Sequence, residues 1–250
     1  MRKKIYSIYE GLWRKFFKLL PHKGFNPLED TSWKNLIVLD ACRYDVFARL
    51  NRIKGNLQKK ISNASDTLEW AKKNLKTYYP DTILIASNPQ LSAQNLKEKL
   101  GFTPFKHIEP VWDYGWDKYV KTVFPQTVIE STLKLKKKYR DERFIIWFMQ
   151  PHHPFIGNPM LLDGKEIVWD KLKAGKISKY IVFKAYIGNL KLVLSQIEKY
   201  LLPELEGKTV ITSDHGNLFG EFGLYAHPYG IYLKPLVEVP WFEVRGEKYE

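Results

Sequence analysis

The residues best suited to chemistry are spread along the chain, and the most telling lie near its end. Asp214 and His215 stand side by side, just after a short apolar run of strand type that opens at Val210. A carboxylate offers a hard oxygen and an imidazole a borderline nitrogen. That mix suits Zn²⁺ or Mn²⁺, with Ca²⁺ or Mg²⁺ as the alternatives. Gly216, Gly220 and Gly223 follow, and they let the backbone turn tightly and approach a ligand. The segment ends at His227 and Pro228. Three more stretches carry similar residues. Asp40 closes the apolar run Asn35–Leu39. Ser65 and Thr67 stand where a helical stretch begins, and a hydroxyl there feels the positive end of the helix dipole and nearby N–H groups. His152 and His153 sit between Pro151 and Pro154, straight after the apolar run Arg143–Met149.

These side chains meet only if their strands lie side by side. Strand runs at 35–40, 81–87, 143–149 and from 210 alternate with helical patterns at 41–50, the second half of 61–75, 92–100, 127–139 and 178–202. The alternation predicts an α/β fold, a mostly parallel central sheet with helices on both faces. Sites in such sheets form at the carboxyl ends of strands, where Asp40, His152 and Asp214-His215 all fall. Residues 101–124 read as aromatic and irregular, with Trp112, Tyr114, Trp116 and Tyr119. They fit either a substrate-facing loop or packing over the sheet edge.

Residues 4–20 read as a separate helix. Ile5, Ile8, Leu12, Phe16 and Leu19 recur at helical spacing, and Tyr9, Trp13, Phe17 and Leu20 widen the stripe. Arg2, Lys3, Lys4, Arg14, Lys15 and Lys18 make it basic. Such a helix either packs its stripe on the protein or lies on an anionic membrane surface. The organisation expected is a basic amphipathic helix and linker over 1–30, then one domain over 31–250.

The formal charge is +13. It fits a lysine-rich surface, or attraction to an anionic substrate or membrane face. No zinc finger, RNP-like motif or arginine-rich arm is present, so no nucleic acid partner is expected. No window reaches the roughly 18 apolar residues of a membrane span, and no secretory signal is read at the N-terminus. Cys42 is the sole cysteine, which rules out an intrachain disulfide and fits a reducing compartment. The expected location is cytoplasmic, peripheral at the inner membrane face.

Ser213-Asp-His-Gly216 followed by Gly220-Glu-Phe-Gly-Leu-Tyr-Ala-His227 resembles the C-terminal metal motif of the alkaline phosphatase/sulfatase superfamily, most of all its phosphoethanolamine transferases and lipoteichoic acid synthases. Val38-Leu-Asp-Ala-Cys-Arg-Tyr-Asp45 resembles the first motif, with Asp40 as the ligand and Arg43 and Asp45 as a structural pair. Ser65-Asp-Thr-Leu-Glu-Trp70 resembles the nucleophile segment. That alignment favours Ser65, with Thr67 as the alternative and Ser62 behind both. His152-His-Pro-Phe155 resembles the histidine loop, with His152 the carried residue and His153 its backup. Val237-Glu-Val-Pro240 is similar to the closing strand.

The resemblance implies a divalent ion on Asp40, Asp214, His215 and the Ser65 oxygen, with His152 and His227 on the leaving oxygen or a second ion. It implies a metal-dependent hydrolase or transferase of phosphate esters, acting on a small or lipid-linked anionic ester. The alternatives are an arylsulfatase, and a degenerate relative that binds an anion or a membrane surface without turnover. Cys42-Arg-Tyr-Asp-Val46 does not match the cysteine motif from which sulfatases make formylglycine. The Asp-x-x-x-His element of two-metal phosphatases is also missing.

Overall fold

The structure is a computed structural model, which describes residues 2–158, 161 and 167–245. In chain order it contains α1 (Arg2–Lys18), β1 (Asn35–Leu39), α2 (Tyr44–Leu50), β2 (Gly55–Ile61), α3 (Thr67–Asn74), β3 (Tyr79–Ala86), α4 (Ala93–Leu100), β4 (Phe105–Glu109) and α5 (Val111–Tyr114). There follow β5 (Trp116–Asp117), β6 (Thr122–Val123), α6 (Pro125–Lys138), β7 (Arg143–Phe148), α7 (Val168–Lys173) and α8 (Lys179–Gln196). The chain closes with β8 (Thr209–Thr212), β9 (Leu218–Phe219), β10 (Tyr225–Ala226), α9 (Lys234–Val237) and β11 (Glu238–Val244).

Seven strands form one sheet in the order β2-β11-β8-β1-β7-β3-β4. The block from β8 to β4 is parallel, and β11 runs antiparallel to both β8 and β2. A strand buried on both faces needs an unbroken apolar run, not an alternating one. β1 shows why. Ile37 and Leu39 enter the core under α2, α6 and α8, while Leu36 and Val38 enter the core under α3 and α4. The expected α/β architecture, mostly parallel with helices on both faces, is the one observed.

Three local differences bear on the site. The expected helix 41–50 begins only at Tyr44. Residues 41–43 instead form a turn in which Ala41 takes φ +60°, a costly value for a residue with a Cβ. The stretch 101–124 holds a sheet strand, a helical turn and a small β5–β6 hairpin. Finally, β2 is a polar, largely exposed edge strand that its pairing with β11 defines.

Candidate active site

β1 and β8 are adjacent and parallel, so Asp40 and Asp214-His215 emerge from the same sheet edge. All three are buried, and one ligand atom from each lies within 4.8 Å of the others. Each residue uses one atom for support and turns another inward. Asp40 Oδ2 accepts from Asn88 Nδ2 at 2.7 Å and Trp147 Nε1 at 3.3 Å. Asp214 Oδ1 accepts from the backbone N–H of Ala41 (3.1 Å) and His215 (2.9 Å). His215 Nδ1 meets Gly216 O at 2.8 Å, which puts the proton on Nδ1 and the lone pair on Nε2. That Nε2 faces Asp214 Oδ2 at 3.2 Å and Asp40 Oδ1 at 3.9 Å. Supported outer atoms around a convergent inner set mean that the trio could hold one metal ion.

The electrostatics agree. Burial, then the neighbouring Asp214, pushes the Asp40 carboxyl up to about 7. His215 is raised above its ordinary value, because the two carboxylates outweigh the burial that would lower it. Two buried carboxylates repel, and a divalent cation would relieve both. Two hard oxygens and one borderline nitrogen fit Zn²⁺ or Mn²⁺.

Thr67 completes the group. Its Oγ1 donates to Asp214 Oδ2 at 2.7 Å and lies 3.4 Å from His215 Nε2. It is the first residue of α3, whose N-cap Asp66 accepts from Glu69 N at 2.8 Å. The hydroxyl therefore sits at the positive end of a helix. Ser65, the residue favoured from sequence, is placed elsewhere. Its Oγ donates within reach of Glu69 Oε2 (3.0 Å) and Pro228 O (3.0 Å), and accepts from Gly230 N (2.8 Å). Those partners occupy the oxygen in a structural junction between α3 and the 228–230 loop. Ser62 Oγ is likewise spent, on Asp214 O and on Ala64 N at 3.2 Å.

The histidine loop follows β7, and the Gln150–Pro151 and His153–Pro154 bonds are both cis. His152 N donates to Asp40 O at 3.1 Å. Asn189 of α8 donates to His152 O and Pro154 O, both at 3.1 Å. The loop is thus clamped beside the metal trio. His152 Nε2 meets His227 Nε2 at 2.9 Å, and the His227 ring stacks 4.5 Å from that of His215. Burial lowers His152 to about 4 and holds His227 well below its ordinary value. Both imidazoles are therefore neutral. They lie outside the trio that could hold one ion. His153 turns away, its Nδ1 accepting from Trp169 Nε1 at 2.9 Å.

The frame around these groups is rigid. Arg43 is bidentate to Asp45 (2.9 and 2.8 Å) and reaches Glu221 at 2.6 Å, which pins the glycine-rich loop to α2. A Cβ on Gly216 would meet Pro235 O at 1.9 Å, so only glycine fits. Ala41 and Ala226, neighbours of Asp40 and His227, both have φ near +60° (60° and 62°), and such strain clusters at functional sites. Sequence reasoning missed Asn88 and Trp147. Neither belongs to a motif quoted above. The β1-β7-β3 order alone brings them to Asp40.

The fold that carries this arrangement is similar to that of solved phosphoethanolamine transferase and sulfatase domains. Similar solved structures include the soluble domain of lipooligosaccharide phosphoethanolamine transferase A from Neisseria meningitidis (TM-score 0.60, 12% identity, 90% of this chain and 80% of that one). The C-terminal periplasmic domain of EptC from Escherichia coli, in complex with Zn, matches at TM-score 0.54 and 11% identity over 92% of this chain and 78% of that one. A 2-O GAG sulfatase matches at TM-score 0.51 and 12% identity, over 85% and 64%. At these identities the likeness establishes the fold. Neither comparison with family models nor comparison with curated proteins gives a match.

Proposed function

We propose that the chain is a metal-dependent hydrolase or transferase of phosphate esters in which Thr67 is the nucleophile. The observation that carries this reading is Thr67 Oγ1 at the N-terminus of α3, 2.7 Å from Asp214 Oδ2 and 3.4 Å from His215 Nε2. Asp40, Asp214, His215 and Thr67 would hold the ion. When bound, Zn²⁺ or Mn²⁺ supplies Lewis-acid stabilisation of negative charge on oxygen.

The chain's own groups account for the rest. Thr67 passes its proton toward Asp214, its hydrogen-bond acceptor, as the Oγ1–P bond forms and the bond to the leaving oxygen breaks. The N-terminus of α3 favours the anionic phosphoryl group. His152 and His227, neutral and adjacent, hydrogen-bond to phosphoryl or leaving-group oxygen through their shared N–H, and the leaving oxygen takes its proton from the incoming water or acceptor alcohol. Water or an acceptor alcohol then attacks the phosphothreonine and restores Thr67. The fold neighbours named for phosphoethanolamine transfer support a lipid-linked anionic ester as the substrate class.

A sulfatase would need a modified cysteine as nucleophile. Cys42 is fully buried among core side chains, and burial raises its thiol well above the ordinary range. Thr67 is an unmodified alcohol, so its sulfate adduct would be a stable ester. The test is kcat/KM for p-nitrophenyl phosphate, p-nitrophenyl phenylphosphonate and p-nitrophenyl sulfate, with Zn²⁺ or Mn²⁺ supplied. Preference for a phosphorus ester, lost in Thr67→Ala, is expected. Faster cleavage of the sulfate would overturn the proposal.

A further inference from the structure

The outer face of α1 carries a contiguous stripe of large, exposed apolar side chains. Ile8 (59% exposed), Leu12 (59%), Phe16 (51%) and Leu19 (83%) lie at the i, i+4, i+8, i+11 spacing of a single helical stripe. They flank an open apolar groove of about 330 Å³ lined by Tyr9, Leu12, Trp13 and Phe16. The inner face is already spent. Tyr6, Trp13 and Phe17 pack on the small core of Leu218, Leu224, Ile231, Leu236 and Val237. Tyr9 donates to Phe222 O at 2.8 Å, and Tyr6 accepts from Tyr225 N at 3.1 Å. The helix is therefore fixed on the segment that carries His227, with its second apolar face turned outward. Phe222, 60% exposed and 5.7 Å from the Trp13 ring, extends that face.

We propose that this face docks on an anionic lipid bilayer and seats the segment carrying His227 at the membrane surface. The partner follows from charge. Lys15 and Lys18 are exposed along one border of the stripe, and the chain carries +13 overall. An amphipathic helix in the interface buries its apolar face between headgroups and acyl chains. Lysine stems at the border can snorkel, leaving their ammonium groups on lipid phosphate. A second copy is a poorer occupant. A two-fold contact through this stripe would bring Lys15 and Lys18 toward their own copies, adding like-charge repulsion. No helix among the described residues is long and apolar enough to cross a membrane.

The test is flotation of the full chain with vesicles of phosphatidylcholine alone, or of phosphatidylcholine with one-third phosphatidylglycerol. Two variants run alongside, Leu12→Glu with Phe16→Glu, and Lys15→Glu with Lys18→Glu. All four positions are exposed, and unchanged melting temperatures would confirm intact folds. Wild type is expected to float with the anionic vesicles and far less with neutral ones. The apolar variant should lose binding, and the charge-reversed variant should lose roughly tenfold or more. Absence of flotation by the wild type overturns the proposal, as does equal flotation of all three proteins. So does a wild-type dimer in sedimentation that Leu12→Glu with Phe16→Glu dissolves, since the face would then belong to a second copy.

Discussion

His152 Nε2 and His227 Nε2 face each other at 2.9 Å, so one proton serves both nitrogens. The residues are far apart in sequence and meet because the β7 loop and the glycine-rich loop end at the same sheet edge. Both imidazoles are kept neutral by burial, so they act as a coupled hydrogen-bonding unit. Removing either should cost about 10²–10⁴ in turnover, and removing both should cost little more than removing one. Metal affinity should stay within a few-fold, because neither belongs to the trio. Steady-state kinetics and a metal titration of His152→Ala, His227→Ala and the double variant check this. Additive losses, or loss of the first equivalent of metal, would contradict it.

Thr67→Ala and Ser65→Ala should separate chemistry from structure. Thr67→Ala removes the hydroxyl beside Asp214 and should lower kcat by three orders of magnitude or more, with little change in melting temperature. Ser65→Ala leaves Gly230 N, Pro228 O and Glu69 short of a partner. It should cost about 1–3 kcal/mol of stability, a drop of several degrees in Tm, and retain measurable turnover. The reverse pattern would return the nucleophile to Ser65.

Asn88 is expected to position the first ligand. Its amide holds Asp40 Oδ2 at 2.7 Å and leaves Oδ1 toward His215. Asn88→Ala should weaken metal binding about 10–100-fold and leave the secondary structure unchanged by circular dichroism. Unaltered affinity in a competition titration would show that Trp147 alone fixes the carboxylate.

The choice between Ser65 and Thr67 turns on where α3 begins, and spacing alone could not place that start to within two residues. Once Asp66 caps Glu69 N, Thr67 becomes the first helical residue and Ser65 falls outside the helix. Glu69 then reaches back to Ser65 N at 2.8 Å, which occupies the serine side. By contrast, Asp40 and Asp214-His215 were legible. Each ends an apolar run that only a strand buried on both faces requires, and a parallel sheet puts such ends together. β2 was hidden because its polar run Gln58-Lys59-Lys60 carries no apolar pattern, and its pairing with β11 is tertiary. Asn88 was hidden for a similar reason: nothing near it in sequence marks a ligand partner.

Metal binding should release protons near neutral pH. The metal-free protein holds a proton on Asp40, whose carboxyl is raised to about 7 by burial and by Asp214. His215 is raised above its ordinary value as well, by the neighbouring carboxylates. A ligand must be deprotonated to bind, so the free form carries more protons than the bound form, and apparent affinity must rise with pH. The Asp40 contribution should climb steeply from roughly pH 6 to roughly pH 8 and flatten above, once that carboxyl has lost its proton. Titration calorimetry with Zn²⁺ or Mn²⁺, repeated in buffers of different ionisation enthalpy, counts the protons released. Asp40→Asn should bind more weakly and release fewer protons, since an amide has none to lose. Wild-type binding with no buffer-dependent heat near pH 7 would mean that Asp40 is already ionised in the free protein. The repulsion argued to drive cation uptake would then be absent.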